Sequence, residues 1–506
     1  MLRSTVAAPE VAISDEILVG GRWRRGTGEL LEPIDPATGD RIAAVHAASP
    51  EDVHIAVRHG QDAVDDPTWR GLAPHQRASY LYRIAALIER DTEQLALLQT
   101  RNTGKTLAET RALVASAAGT FRFFAAAAET REARVTPARG DYLSMSTHEP
   151  IGVVGAITPW NSPIASDAQK VAPALAAGNA VLLKPAEWTP LVALALGRIV
   201  MEAGIPPGLF SVLPGPGATV GDALVRHPGI GKVSFTGGTA TGRTIGRNAA
   251  EKIMPVSLEL GGKSPNVVFA DASLEHAIAG LLFGIFSSSG QSCVAGSRIF
   301  VAEVIYDQLL RRLVAATRAL RVGPGTDPRT QVGPLVHPDH RDRVAAMVDG
   351  ARLEGARVHC GGAAPTDPEL GTGAYYLPTV LDGLDNSAAT CQEEIFGPVA
   401  VVLPFHDETD LIQQANDTSY GLACGIWTSD YRKAWRIGKA IQAGTVWVNT
   451  YKQFSISTPF SGVKESGLGT EKGRDGILAY THQKSIYIGL NDQPLPWAEA
   501  SSPDER

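Results

Sequence analysis

Between about residues 150 and 260, short apolar runs alternate with segments of helix length, and no other feature of the chain constrains its fold as much. The series runs GVVGAI, a helix over 164–177, AVLLK, a helix over 190–203, and FSVL. It continues with a helix near 218–226, KVSF, a helix near 239–250, and PVSLEL. Continuously apolar strands separated by amphipathic helices describe a parallel sheet covered on both faces. A second series begins after Gly262 with NVVFA, a helix near 277–287, RIFVA, a helix near 306–320, and later AVVLPF and TVWVN. The chain therefore reads as two α/β domains, which suits 506 residues, too many for one ordinary core.

Leu81, Ile84, Ala85 and Ile88 recur at helical spacing and predict one helix over 75–101 that packs on a larger body. The stretch 136–149 and the segment HQKSIYIGL read as isolated strands, which need a partner sheet and are expected to pair with each other and with another subunit. The first fourteen residues lack the apolar stretch of roughly 7 to 15 residues of a secretory signal and read as a frayed tail. The end, QPLPWAEASSPDER, is polar and proline-bearing and reads as mobile.

No run of about 18 apolar residues could span a bilayer, so no membrane association is expected. Lys plus Arg less Asp plus Glu is 46 − 53 = −7 without a basic block, which argues against a nucleic-acid partner. Four scattered cysteines, Cys293, Cys360, Cys391 and Cys424, make no disulfide framework and no CxxC pair. A reducing cytoplasm and no metal site are the expectation.

Four segments carry chemistry. SSGQSCVAGSR places Cys293 and Ser292 among small residues where a helix ends and a strand begins. An arbitrary cysteine in such a place is more often a small buried hydrophobe than a nucleophile. SLELGGKSPNVV sets Glu259 on an apolar strand, where an acid costs free energy unless it is partnered or functional. By itself it reads equally well as a structural carboxylate paired with Lys263 or a backbone amide. ITPWNSP would hold Trp160 and Asn161 at the carboxyl edge of the sheet, where open α/β sheets bind ligands. From this segment alone Asn161 reads as a helix cap. SFTGGTATG brings Gly237 and Gly238 to a helix start that could hold a phosphate, although it lacks the GxGxxG spacing.

Together these segments resemble the aldehyde dehydrogenase superfamily from about Gly20 to Gly489. The matching stretches are PWN at 159–161, KPAE at 184–187, FTGGT at 235–239, LELGGKSPNVVFADA at 258–272, GQSCVAGSR at 290–298, EEIFGPV at 393–399 and PFSGVKESGLG at 459–469. The resemblance implies an α/β fold with a Rossmann-like cofactor-binding domain (15–131 and 151–259) and a second α/β catalytic domain (260–470). A small β oligomerisation flap (132–150 and 471–490) would join subunits into a homodimer or homotetramer. It implies oxidation of a small-molecule aldehyde to the acid with reduction of NAD, NADP being possible. Cys293 would be the nucleophile, Glu259 the base and Asn161 the oxyanion donor. Thr158, Pro159, Trp160, Lys184, Glu187, Gly217, Phe235, Gly237, Gly238, Glu394 and Phe396 would hold the cofactor. A carboxylate at Glu187 accepts ribose hydroxyls and repels a 2′-phosphate, which favours NAD. Gly238 departs from the family, many of whose members place Ser there.

The helix after PWN should line the substrate tunnel with Ser162, Ser166, Asp167 and Gln169, a hint of a polar aldehyde, while Phe454 and Phe460 form apolar walls. The thiolate requires a lowered pKa. Two other readings remain within the resemblance, a coenzyme A-acylating semialdehyde dehydrogenase and a non-catalytic structural or NAD-binding member. Glu259 speaks against the first, and Cys293, Asn161 and Glu259 together speak against the second.

Overall fold

The computed structural model describes residues 15–492 and Trp497, so the tails read above lie, Trp497 apart, outside the described residues. Five parallel strands form the centre of the first sheet, in the order Phe210–Val212, Ala180–Lys184, Val153–Ile157, Lys232–Thr236 and Val256–Glu259. The chain enters this sheet at Val153–Ile157, winds outward in one direction and then returns to wind in the other. The order reverses between Val153–Ile157 and Lys232–Thr236, which opens a crevice outside their carboxyl ends. Val181, Leu182 and Leu183 have no exposed surface, as strands covered on both faces require. Burying each such side chain contributes about 1.5 to 3 kcal/mol. Antiparallel strands close both edges, Glu16–Val19 with Arg22–Arg25 on one side and Gly467–Leu468 on the other. This last strand thus adds a segment of the stretch 260–470 to the cofactor-side sheet.

The second sheet orders Arg357–Cys360, Thr379–Asp382, Val399–Phe405, Arg298–Ala302, Pro265–Val268, Ala423–Trp427 and Thr445–Val448, and only its first pairing is antiparallel. The strand Val256–Glu259 leads through Gly261 and Gly262 directly into Pro265–Val268, so Glu259 stands where the two sheets meet. Tyr142–Pro150 and Thr481–Gly489 pair antiparallel along their whole lengths, with Arg134–Thr136 on the outer edge. The helix expected over 75–101 is two helices, Pro74–Arg90 and Thr92–Thr103, broken at Asp91, whose backbone leaves helical geometry. Apolar spacing continues across the break because both helices bury the same side of the chain.

Candidate active site

A cleft of about 630 Å³ lies at the switch point of the first sheet. Its walls include Thr158, Pro159, Trp160, Lys184, Glu187, Gly217, Phe235, Gly237 and Gly238. Its size and its mixture of apolar wall with a few polar groups suit a dinucleotide. Glu187 accepts a hydrogen bond from the Gly217 amide (3.2 Å), and burial pushes the Lys184 ammonium down to about 8. Gly237 and Gly238 precede the helix Thr239–Ala250, whose free amides face the cleft. Side chains are limited differently at the two positions. A Cβ at Gly237 would lie 2.5 Å from the Phe235 ring, while one at Gly238 would meet nothing within 4 Å. Phe396 is not among the cleft's lining residues but packs on its wall, its ring edge-on to Trp160 at 5.1 Å. Its backbone is left-handed (φ 57°), and its carbonyl lies 2.7 Å from His340 Nε2.

Cys293 follows a strained turn. The helix Leu274–Phe286 ends, and Ser288, Ser289 and Gly290 all take positive φ (57°, 55° and 71°) before the loop reaches the sulfur. Glycine is required at Gly290, where a Cβ would fall 2.0 Å from the Gly397 carbonyl oxygen. Two neighbours tie the loop down. Glu109 accepts from the Ser288 amide (2.6 Å), and the Asn161 side-chain amide donates to the Gln291 carbonyl (2.9 Å). Asn161 therefore bridges the dinucleotide cleft and the cysteine loop and does not cap the following helix, whose N-terminal residue Ser162 makes no side-chain cap either. The Gly262 Cα packs directly on the Cys293 backbone, since a Cβ there would lie 2.5 Å from the Cys293 carbonyl oxygen. This contact brings the cysteine loop to within three residues of Glu259 along the strand exit.

The thiol differs from the sequence expectation. Burial, followed by the nearby carboxylates of Glu394 and Glu259, pushes Cys293 up to about 12, against the opposing pull of Lys452 and Lys472. Glu259 stands at the same junction. It is buried, neither of its oxygens has a hydrogen-bond partner, and it is paired with neither Lys263 nor a backbone amide. Desolvation and then the charge of Glu471 raise its pKa well above the usual carboxylate range. Behind it the Lys170 ammonium donates to Glu471 (2.5 Å) and Ser234 (3.0 Å), a buried pair contributed by residues 301 apart in sequence. Glu394 folds onto Gly261 and Gly262, accepts from the Gly262 amide (3.0 Å), and is pushed up to about 7 by burial.

On the helix Pro163–Ala177, Ser162, Ser166 and Gln169 keep exposed surface and share one face at i, i+4 and i+7. Asp167 does not join them. It is fully buried beside Thr158 and Lys170, and desolvation pushes it up to about 7. The Phe454 and Phe460 rings meet edge to face at 5.7 Å, and Ser292 is half-buried next to the sulfur. Sequence reasoning missed Lys170, Ser234, Glu471, Lys452, Lys472 and the Gln291 carbonyl. One local signal was available: Lys170 is a charged residue directly before the apolar, buried run 171–177 of its helix.

A doubly wound sheet joined to a second α/β sheet, with a cysteine and a glutamate at the junction, is the architecture of aldehyde dehydrogenases. The chain belongs to that family, whose model, described as the aldehyde dehydrogenase family, matches residues 23–486. It is 39% identical to betaine aldehyde dehydrogenase of Bacillus subtilis over 96% of this chain and 99% of that protein. It is 38% identical to human retinal dehydrogenase 2 over 94% and 92% of the two chains. Among solved structures, betaine aldehyde dehydrogenase from Staphylococcus aureus in complex with NAD+ superposes with a TM-score of 0.95 at 35% identity, covering 96% of this chain and 97% of that one.

Proposed function

We propose that this chain oxidises an aldehyde to its carboxylic acid with NAD as acceptor, through a thioester on Cys293 that Glu259-activated water hydrolyses. The observation that carries this reading is the junction itself. One amide, Asn161, is fixed on the cysteine loop, and one unpartnered acid, Glu259, stands beside the same loop.

The chemistry begins with transfer of the Cys293 proton to the Glu259 carboxylate, whose raised pKa makes it a competent acceptor. The sulfur adds to the carbonyl carbon, and the π electrons move to oxygen. The Asn161 side-chain amide, which can turn from the Gln291 carbonyl, and the Cys293 backbone N–H are positioned as donors to that oxyanion. NAD supplies the hydride acceptor when bound in the cleft between Trp160, Phe396 and the Gly237–Gly238 turn. Collapse of the oxyanion leaves an acyl group on sulfur. Glu259 gives up the first proton to solvent and then takes one from water; the hydroxyl adds to the acyl carbon, the carbon–sulfur bond breaks to release the acid, and the Glu259 proton returns to the leaving sulfur.

Glu187, held at the ribose end of the cleft, favours NAD over NADP by charge. The division into cofactor-binding (15–131 and 151–259), catalytic (260–470) and flap (132–150 and 471–490) segments is part of this proposal, and the separate eight-, seven- and three-stranded sheets support it. The exposed Tyr487, Ile488 and Leu490 on the flap support association into a homodimer or homotetramer. All four cysteines are free, and among the described residues no helix is long and apolar enough to cross a membrane, which supports a cytoplasmic setting. Rapid mixing tests the mechanism. Glu259→Gln should release about one NADH per site and then stall with acyl-enzyme detectable by intact mass, and an unchanged steady-state rate would refute the assignment.

A further inference from the structure

Two lysines stand near the cysteine loop, and the mechanism above uses neither. Lys452 donates to Ser287 Oγ (2.9 Å) at the root of the cysteine loop. Lys472 lies over the Phe454 and Phe460 rings, 4.3 Å and 5.2 Å from their centroids. Both are half-buried and both act on the Cys293 sulfur, and without a paired carboxylate burial pushes the Lys452 ammonium down to about 7 and lowers that of Lys472 as well. Each is held in left-handed backbone (φ 53° and 60°), which fixes the direction of its stem.

Neither forms an ion pair with a carboxylate among the described residues, although acids are close. Glu109, near Lys452, is occupied by the Thr106 and Ser288 amides. Glu471, next to Lys472, is occupied by Lys170. Glu259 pairs with neither lysine, and both of its oxygens are without a hydrogen-bond partner. A half-buried ammonium without a counter-ion is costly, and two beside one tunnel make a site for an anion. The aromatic faces of Phe454 and Phe460, which could otherwise receive a ligand cation, are already covered by the Lys472 ammonium.

Resting on the proposed reaction, we infer that the preferred aldehyde carries an anionic group a few atoms from its carbonyl, held between Lys452 and Lys472, and that quaternary ammonium aldehydes are poor substrates. The polar face of Ser162, Ser166 and Gln169 suits the same class, because it offers hydrogen bonds to an anion's remaining lone pairs. Carboxylate and phosphate would both fit two point-charge donors, so the shared property is the charge.

The test measures NADH formation by the full chain with succinic semialdehyde, glyceraldehyde 3-phosphate, n-butanal and betaine aldehyde. At least one anionic aldehyde should exceed n-butanal and betaine aldehyde in kcat/KM by roughly 10- to 100-fold, the usual effect of one or two charge-assisted hydrogen bonds. The carboxylate and phosphate arms identify which anion is taken. Lys452→Met and Lys472→Met should each erase most of the preference through KM, and Lys452→Arg and Lys472→Arg should keep it. Use of n-butanal or betaine aldehyde as well as either anion overturns the inference while leaving the proposed reaction intact. So does a preference that survives both Met variants. NADH from none of the four overturns the reaction itself.

Discussion

The dinucleotide cleft and the chamber around the sulfur lie side by side but are built on opposite terms. The cleft is assembled from strand ends and helix starts, and its acid Glu187 has an ordinary partner in the Gly217 amide. In the chamber, Glu259 keeps both oxygens unpartnered, Ser288 and Ser289 sit in left-handed backbone, and the thiol is pushed up to about 12 by burial. Free energy spent on such groups is recovered only when a reacting atom arrives. Substitutions in the chamber should therefore change rate with little loss of stability, and those in the cleft should change affinity.

The sharpest contrast is expected at Cys293. Cys293→Ser should lower kcat by about 10⁴-fold or more, as loss of a covalent nucleophile does. NAD affinity measured by calorimetry should be unaltered, and a large loss of NAD binding would dissolve the division between the two regions. Glu259→Gln comes next, with a steady-state loss of about 10²- to 10⁴-fold and an unfolding midpoint that does not fall.

Glu259 also sets the pH dependence. It serves as base only when ionised, and its raised pKa places that ionisation above the ordinary glutamate value of about 4.3. Turnover limited by thioester hydrolysis should rise with pH through that raised pKa. Neutralising Glu471 with Glu471→Gln removes a negative charge that raises Glu259, so the acid limb of kcat should move to lower pH. A limb that stays in place would show that burial alone sets it. Asn161→Ala should cost about 10²- to 10³-fold in kcat, with the aldehyde KM changed far less. A rise in KM alone would make Asn161 a binding group.

The same contrast explains what could be read from sequence. Cleft residues lie where apolar strands end, so Trp160, Gly237 and Gly238 are marked by the pattern around them, while Thr158, Pro159, Lys184 and Glu187 are named only through the family resemblance. The chamber joins residues that are adjacent only after folding. Lys170 and Glu471 are 301 residues apart, and no local pattern couples them. Lys452 and Lys472 stand in loops without periodicity, so the sequence pattern singles out neither. Asp167 shows the limit of listing polar residues along a helix, because the spacing that puts Ser162, Ser166 and Gln169 on the open face turns Asp167 inward. The break at Asp91 escaped for the related reason that burial continues across it.

The smallest expected effect tests the cleft at its finest grain. Gly237 and Gly238 are adjacent, and both look like phosphate-binding glycines, yet only the first is sterically confined. Gly238 has φ −68° and ψ 144°, ordinary extended geometry for any residue, and sits at the N-cap of Thr239–Ala250 with open space around its missing Cβ. A serine there can accept a first-turn amide, which contributes a few tenths of a kcal/mol over glycine. With cofactor present its hydroxyl can instead donate to a diphosphate oxygen. That exchange leaves a net gain of roughly 1 kcal/mol, or about a fivefold lower KM for NAD, with kcat unchanged. Gly237→Ser should do the reverse, since its Cβ must displace the buried Phe235 ring. Titration of both variants with NAD decides the matter. If Gly238→Ser weakens binding as Gly237→Ser does, the cleft shares the chamber's intolerance of change and the two regions are not built on opposite terms.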